Sequence, residues 1–123
     1  MQVRTVTKND VTIAVVESET PLILDTSSAL DLLATVRYET DCDCMALFKS
    51  AVTEEFFRLS SGVAGDVLQK FINYQMKLAI IGDYSHYTSK PLRDFIYESN
   101  KGRNIFFVGT EEEAIEKLAA AAR

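Results

Sequence analysis

"SSGVAGDVLQKFINYQMKLAIIGD", residues 60–83, carries two hydrophobic patterns in succession. Val63, Val67 and Phe71 recur every four residues, as do Ala64, Leu68 and Ile72. Together they predict one broad buried face on an amphipathic helix. "KLAIIGD", residues 77–83, is then apolar without alternation, as a strand is when both its faces are covered. A helix leading into a fully covered strand is a unit of a parallel sheet, and the remaining elements are read outward from it.

Downstream, "TSKPLRDFIYESNKG" (88–102) reads as a helix, with Ser89 suited to its cap, Pro91 to its first turn and Gly102 to its stop. "NIFFVG" (104–109) is another apolar strand. Thr110 and Glu113 then form a capping box over Ala114, Ile115 and Leu118, and "LAAAAR" closes the chain as helix to Arg123. Upstream, "CMALFKS" (44–50) is a short apolar strand, and "VTEEFFRL" (52–59) starts a helix with Thr53 as cap. Ser28 with Asp31 has capping-box spacing before Ala29, Leu30, Leu33, Ala34 and Val36. "MQVRTVT" and "VTIAVVES" are two strands joined at Asn9-Asp10, residues that favour a turn. The order is ββαβαβαβα. It predicts an α/β fold with a mixed sheet of about five strands, the first antiparallel and the rest parallel through right-handed crossovers. One domain over residues 1–123 is expected, with no repeat, low-complexity tract or linker.

Composition excludes several classes. The chain is 47% hydrophobic and 25% charged, as soluble globular domains are, and has no run near the ~20 apolar residues of a membrane span. "MQVRTVTKND" lacks the apolar segment of a secretory signal, so a cytoplasmic location is expected. A net charge of −5 disfavours nucleic acid, where neutralising phosphates dominates affinity. Cys42 and Cys44 form a C-x-C that would share one strand face, but His86 is the only histidine and the set is too small for a metal site. They read as small core residues. No Gly-rich phosphate loop or dinucleotide fingerprint is present, and no cofactor is expected.

The element order resembles that of the STAS domain, the fold of bacterial anti-sigma factor antagonists, over nearly the whole chain. "VTKNDVTIAVVES" looks like its opening hairpin, and "SSALDLLATV" and "CMALFKS" like its first helix and central strand. "LSSGVAGDVLQKFINYQMKLAIIG" is similar to its D-S-S-G segment, helix and following strand. More narrowly, "AGDVLQKFINYQMKLAIIGDYSHYTSKPLRDFIYESNKGR" (64–103) resembles the bacterial family catalogued as domain of unknown function 4180. The STAS resemblance implies a phosphorylation switch at the first serine of D-S-S-G, which is Ser60 here, with Leu59 where that motif has aspartate.

Two surfaces attract a functional reading. Ser60, Ser61 and Gly62 precede a helix, and their structural role would be capping and close packing. The same geometry suits an anion or a phosphoserine, because a helix N-terminus carries free donors and partial positive charge. The loop "GDYSHYTS" follows a covered strand at the end where α/β folds place ligands. There Asp83, Tyr84, Ser85, His86, Tyr87 and Ser89 offer donors, acceptors and rings, with Asp83 or His86 as base and Ser85 as nucleophile in a catalytic version. Asp83, Tyr84 and Ser85 are expected near the Ser60–Gly62 segment, since both follow neighbouring parallel strands. Glu54 and Glu55 read as first-turn carboxylates that complement a helix dipole. The leading expectation is a non-enzymatic regulatory or protein-interaction module acting on a protein partner, with a homodimer among the options. The alternative is a small-ligand-binding or weakly catalytic protein that uses the Asp83–Ser89 loop.

Overall fold

The computed structural model describes residues 1–122. Strands β1 (Gln2–Lys8) and β2 (Val11–Glu17) form a hairpin in which Lys8 pairs with Val11. Only Asn9 and Asp10 lie between them, both with positive φ (52° and 67°). A two-residue turn of that hand matches the twist of the strands, and Asn and Asp tolerate it better than other non-glycine residues. Helix α1 (Thr26–Thr40), strand β3 (Cys44–Phe48), helix α2 (Val63–Asn73), strand β4 (Lys77–Ile81), helix α3 (Lys90–Lys101), strand β5 (Ile105–Val108) and helix α4 (Glu111–Ala121) follow. The expected extension of α4 to Arg123 lies outside the described residues.

The five strands pair in chain order, β1-β2-β3-β4-β5, with β1 antiparallel and the other three pairings parallel. Each crossover therefore steps one strand in the same direction. Side chains alternate across the sheet accordingly. Ala14, Val16, Met45, Leu47, Leu78, Ile80, Ile105 and Phe107 face the layer of α1, α2 and α3. Ile13, Val15, Cys44, Ala46, Ala79, Ile81, Phe106 and Val108 face α4 through Ala114, Leu118 and Ala119. Both faces of β3, β4 and β5 are covered, which is why these strands read as unbroken apolar runs.

Several local expectations are corrected. Helix α1 is capped by Asp25, not Ser28. Asp25 Oδ1 accepts the Ser28 amide at 2.9 Å, and Ser28 Oγ accepts the Leu24 and Asp25 amides at 2.8 and 3.0 Å. That arrangement satisfies more backbone donors than a box of Ser28 with Asp31 could. "VTEEFFRL" forms two short 3-10 turns rather than an α-helix start, Glu54–Phe57 and Leu59–Ser61, and the Thr53 side chain makes no capping bond. They serve to drive Phe56 and Phe57 into the core. The backbone of this stretch is tied to the segment before α1 through Ile23, whose carbonyl accepts the Thr53 amide at 3.0 Å. Ile72 is 42% exposed at the rim of the α2 stripe. Cys42 and Cys44 do not share a face. Cys42 precedes β3 and joins the α1–α3 core, whereas Cys44 points at α4.

Candidate functional site

At the carboxyl edge of the sheet, the segments after β3 and β4 meet. Phe57, buried, is their hinge of contact: its ring stacks on Tyr87 at 5.3 Å between centroids and lies 5.9 Å from Tyr84. The Tyr84 hydroxyl donates to the Ile80 carbonyl at 2.7 Å, so this tyrosine is a strut of the loop. Burial raises its pKa well above the ordinary phenol value. Tyr87 is more open, and its hydroxyl donates to the Glu54 carboxylate at 3.0–3.1 Å.

Lys49 completes the cluster, and no local pattern in the sequence marks it. Its Nζ donates to Glu54 Oε1 at 2.9 Å and lies 4.8 Å from the Phe57 ring centroid and 5.0 Å from that of Tyr87. Its stem crosses Gly82, where a Cβ would stand 2.6 Å from Lys49 Cβ. Glycine is required here for close approach, since the neighbour is the rooted end of the lysine side chain. The side chain is 17% exposed. Burial opposes the ammonium charge, but Tyr87 and Glu54 outweigh it, and the lysine pKa is raised. Hydrogen bonding from Lys49, with Tyr87 helping, lowers that of Glu54. Glu54 thus belongs to a tertiary ion pair rather than to a helix dipole, which corrects its first-turn reading.

The two serines before Gly62 have separate fates. Ser61 is half-buried; its Oγ donates to the Glu55 carbonyl at 2.9 Å and accepts the Val63 amide at 3.2 Å. It secures the start of α2 and ties it to the preceding turn. Ser60 is exposed and has no hydrogen bond among the described residues. Gly62 adopts φ +81°, ending one 3-10 turn and opening α2, a conformation that side chains resist. Ser89 caps α3, accepting the Leu92 amide at 3.4 Å.

Ser60, Tyr87, Ser89, Pro91, Glu54 and Glu55 border one open cleft of about 560 Å³. Two segments separated in the chain thereby share a surface, with Ser89 at the start of α3 and Ser60 in the turn that precedes α2. Arg58 lies on its rim, paired with Glu55 at 2.9 Å. Asp83 and His86 turn instead to a second open cleft of about 670 Å³ with Lys49 and Gly82. Asp83 Oδ1 accepts the Ser85 amide at 2.9 Å, which closes a local turn, and the Ser85 hydroxyl, with that amide second, holds the carboxyl pKa down. Ser85 is exposed, and no hydrogen bond joins it to His86 among the described residues. His86 packs on Tyr87 at 4.1 Å between ring centroids. The strand order leaves no point at which consecutive crossovers diverge, so no crevice opens between the strand ends. Among the described residues, no three or more of His, Cys, Asp and Glu gather as a metal site, and no helix is long and apolar enough to cross a membrane.

The fold and this edge define an α/β chain with a five-strand mixed sheet, four helices and an aromatic loop junction. It belongs to the family described as Domain of unknown function (DUF4180), whose model matches residues 8–118. No curated protein and no solved structure matches the chain.

Proposed function

We propose that this protein is a non-enzymatic, STAS-like interaction module of the cytoplasm, and that a protein partner docks on the carboxyl-edge cleft under control of Ser60. The observation that carries this reading is that exposed Ser60, with no bond to the rest of the chain, borders the same cleft as Tyr87 and Ser89. The charged groups that border it are already paired, Glu54 with Lys49 from the neighbouring cleft and Arg58 with Glu55. Such a site leaves no unpaired charge, and it offers an aromatic face and two serine hydroxyls to a partner. A phosphate on Ser60 would bring close to two negative charges beside Glu54 and Glu55, or draw Arg58 away from Glu55. Either outcome changes the charge a partner meets. Ser61 is the poorer switch, because modifying it removes two hydrogen bonds that hold α2 in place.

The test is a pull-down from the native cell with the intact chain as bait, identification by mass spectrometry, then affinity measurement with Ser60→Glu and Tyr87→Ala. Both variants are expected to fold and to weaken binding by about tenfold or more, the loss of one hot-spot contact. A partner that binds both as tightly as wild type would sink the proposal. The competing reading, a small ligand beside Lys49, Asp83 and His86, rests on the second cleft. It would gain if phosphate or sulfate shifted the amides of residues 82–87 in an NMR titration.

A further inference from the structure

On the outer side of the helix layer, away from the carboxyl-edge cleft, α1 carries an exposed stripe that does not belong to the core. Tyr38 is 91% exposed and Tyr74, at the end of α2, is 53% exposed. With half-buried Leu30, exposed Ala34 and the edge of the core residue Leu33 they line a mainly apolar groove of about 520 Å³, which Asp31 and Arg37 also border. A single exposed tyrosine needs no explanation, but a contiguous apolar groove bordered by opposite charges does.

The order of residues on this stripe is symmetric. Leu30 and Tyr38 lie four residues either side of Ala34, and Asp31 and Arg37 lie three either side. In an antiparallel helix pair that crosses at Ala34, each position before it faces the equivalent position after it on the other helix. A two-fold axis through Ala34 therefore sets Leu30 against the partner copy's Tyr38 and Asp31 against the partner copy's Arg37, each contact made twice. Positions three and four either side of a residue share a face in any helix, so what favours a second copy here is the opposite charge at the two paired positions, Asp31 and Arg37, which a two-fold axis brings together twice. Alanine at the crossing lets the axes approach to the short end of the usual 8–10 Å. The Asp31 side chain has no hydrogen bond or ion pair among the described residues, and Arg37 keeps one donor although it already pairs with Asp43. Arg37 bonds within the chain through Nε and Nη2, to Asp43 at 3.2 and 2.9 Å and to the Gln75 carbonyl at 3.4 Å, so Nη1 is left for an acceptor across the axis. We infer that the occupant of this groove is a second copy of the chain, joined through α1 in an antiparallel two-fold pair.

Sedimentation equilibrium of the intact chain tests this, up to roughly millimolar concentration, where even a weak pair assembles. The mass should rise toward twice the 13.8 kDa of one chain. Tyr38→Glu and Ala34→Arg both alter exposed positions, so their thermal melts should match that of the monomeric wild type while dimerisation is lost. Asp31→Arg should weaken the dimer at least about tenfold, because it sets like charges together at two places. A wild-type chain that stays monomeric throughout overturns the inference and leaves the groove to another protein. So does a dimer that survives Tyr38→Glu and Ala34→Arg, or one that Asp31→Arg leaves as tight as wild type.

Discussion

At the residue scale, the cluster around Lys49 depends on positions far apart in the chain. Its ammonium is satisfied by Glu54, shielded by Phe57 and Tyr87, and accommodated only because residue 82 has no side chain. Gly82→Ala should lower stability by about 1–3 kcal/mol, the usual cost of overpacking a filled site. Chemical denaturation measures it, and a loss below the error of the fit would show that the lysine stem can move aside. The adjacent serines should separate cleanly in the same assay. Ser61→Ala removes an acceptor and a donor and should cost about 1 kcal/mol, whereas Ser60→Ala should stay within about 0.5. Cys44 offers a third check. Burial pushes its thiol pKa up to about 11, so at neutral pH it is protonated as well as enclosed. Neither Cys44 nor the equally buried Cys42 should react with a thiol reagent until the chain is unfolded. Rapid labelling of the native protein would mean that α4 opens readily.

At the scale of elements, the helix starts link the fold to pH. Hydrogen bonds from the Ser28 amide and side chain hold the Asp25 carboxyl below its ordinary 3.8, and Lys49 holds that of Glu54 below 4.5. A carboxyl whose pKa is lowered by folding contributes stability above its unfolded value and loses it as pH falls through the folded one. The melting temperature should therefore decline from about pH 5 downward. Asp25→Asn keeps an acceptor at the cap of α1 but removes the charge, so its acid decline should be shallower than that of wild type. Equal slopes would show that the Asp25 charge is immaterial to the cap. Helix α4 begins on a box of similar design. Thr110 Oγ1 accepts the Glu113 amide at 3.1 Å, while Glu113 Oε1 reaches back to the Gly109 amide at 3.0 Å. The two boxes share a motif yet differ in legibility. In α4 the Thr110–Glu113 spacing had no rival, but before α1 both Asp25–Ser28 and Ser28–Asp31 have the right spacing. The second failed because the chain there is already drawn across Ile23 to the segment after β3.

At the scale of the molecule, three crossovers in one direction put α1, α2 and α3 on one face and leave α4 alone to cover the other. Two consequences follow for function. The loops after β3 and β4 must emerge side by side, which brings Ser60 to Tyr87 and Ser89. The outer surface of α1 is left without a covering element, which exposes the stripe centred on Ala34. The two surfaces are separate, so loss of the dimer by Ala34→Arg should leave binding at the carboxyl edge within about threefold of wild type, as independent sites behave. Titration of the edge partner against wild type and Ala34→Arg tests that separation, and a large loss in the variant would show the two surfaces to be coupled.

The sequence by itself determined the order of elements, the positions of the covered strands and the Asn9-Asp10 hairpin. These follow from periodicity and turn chemistry, which act over a few residues. It also carried the family relation, since the family model matches residues 8–118 on sequence alone. The tertiary structure alone decided which of two adjacent serines is engaged, why residue 82 is glycine, and where Lys49 and Phe57 act. "VTEEFFRL" has the look of a helix start, but burying both Phe56 and Phe57 while keeping Glu54 at Lys49 required tight turns. Cys42 and Cys44 fell on opposite faces because the strand starts only at Cys44. Each of these outcomes depends on how non-adjacent segments pack together or on where an element begins, and neither leaves a local periodic mark in the chain.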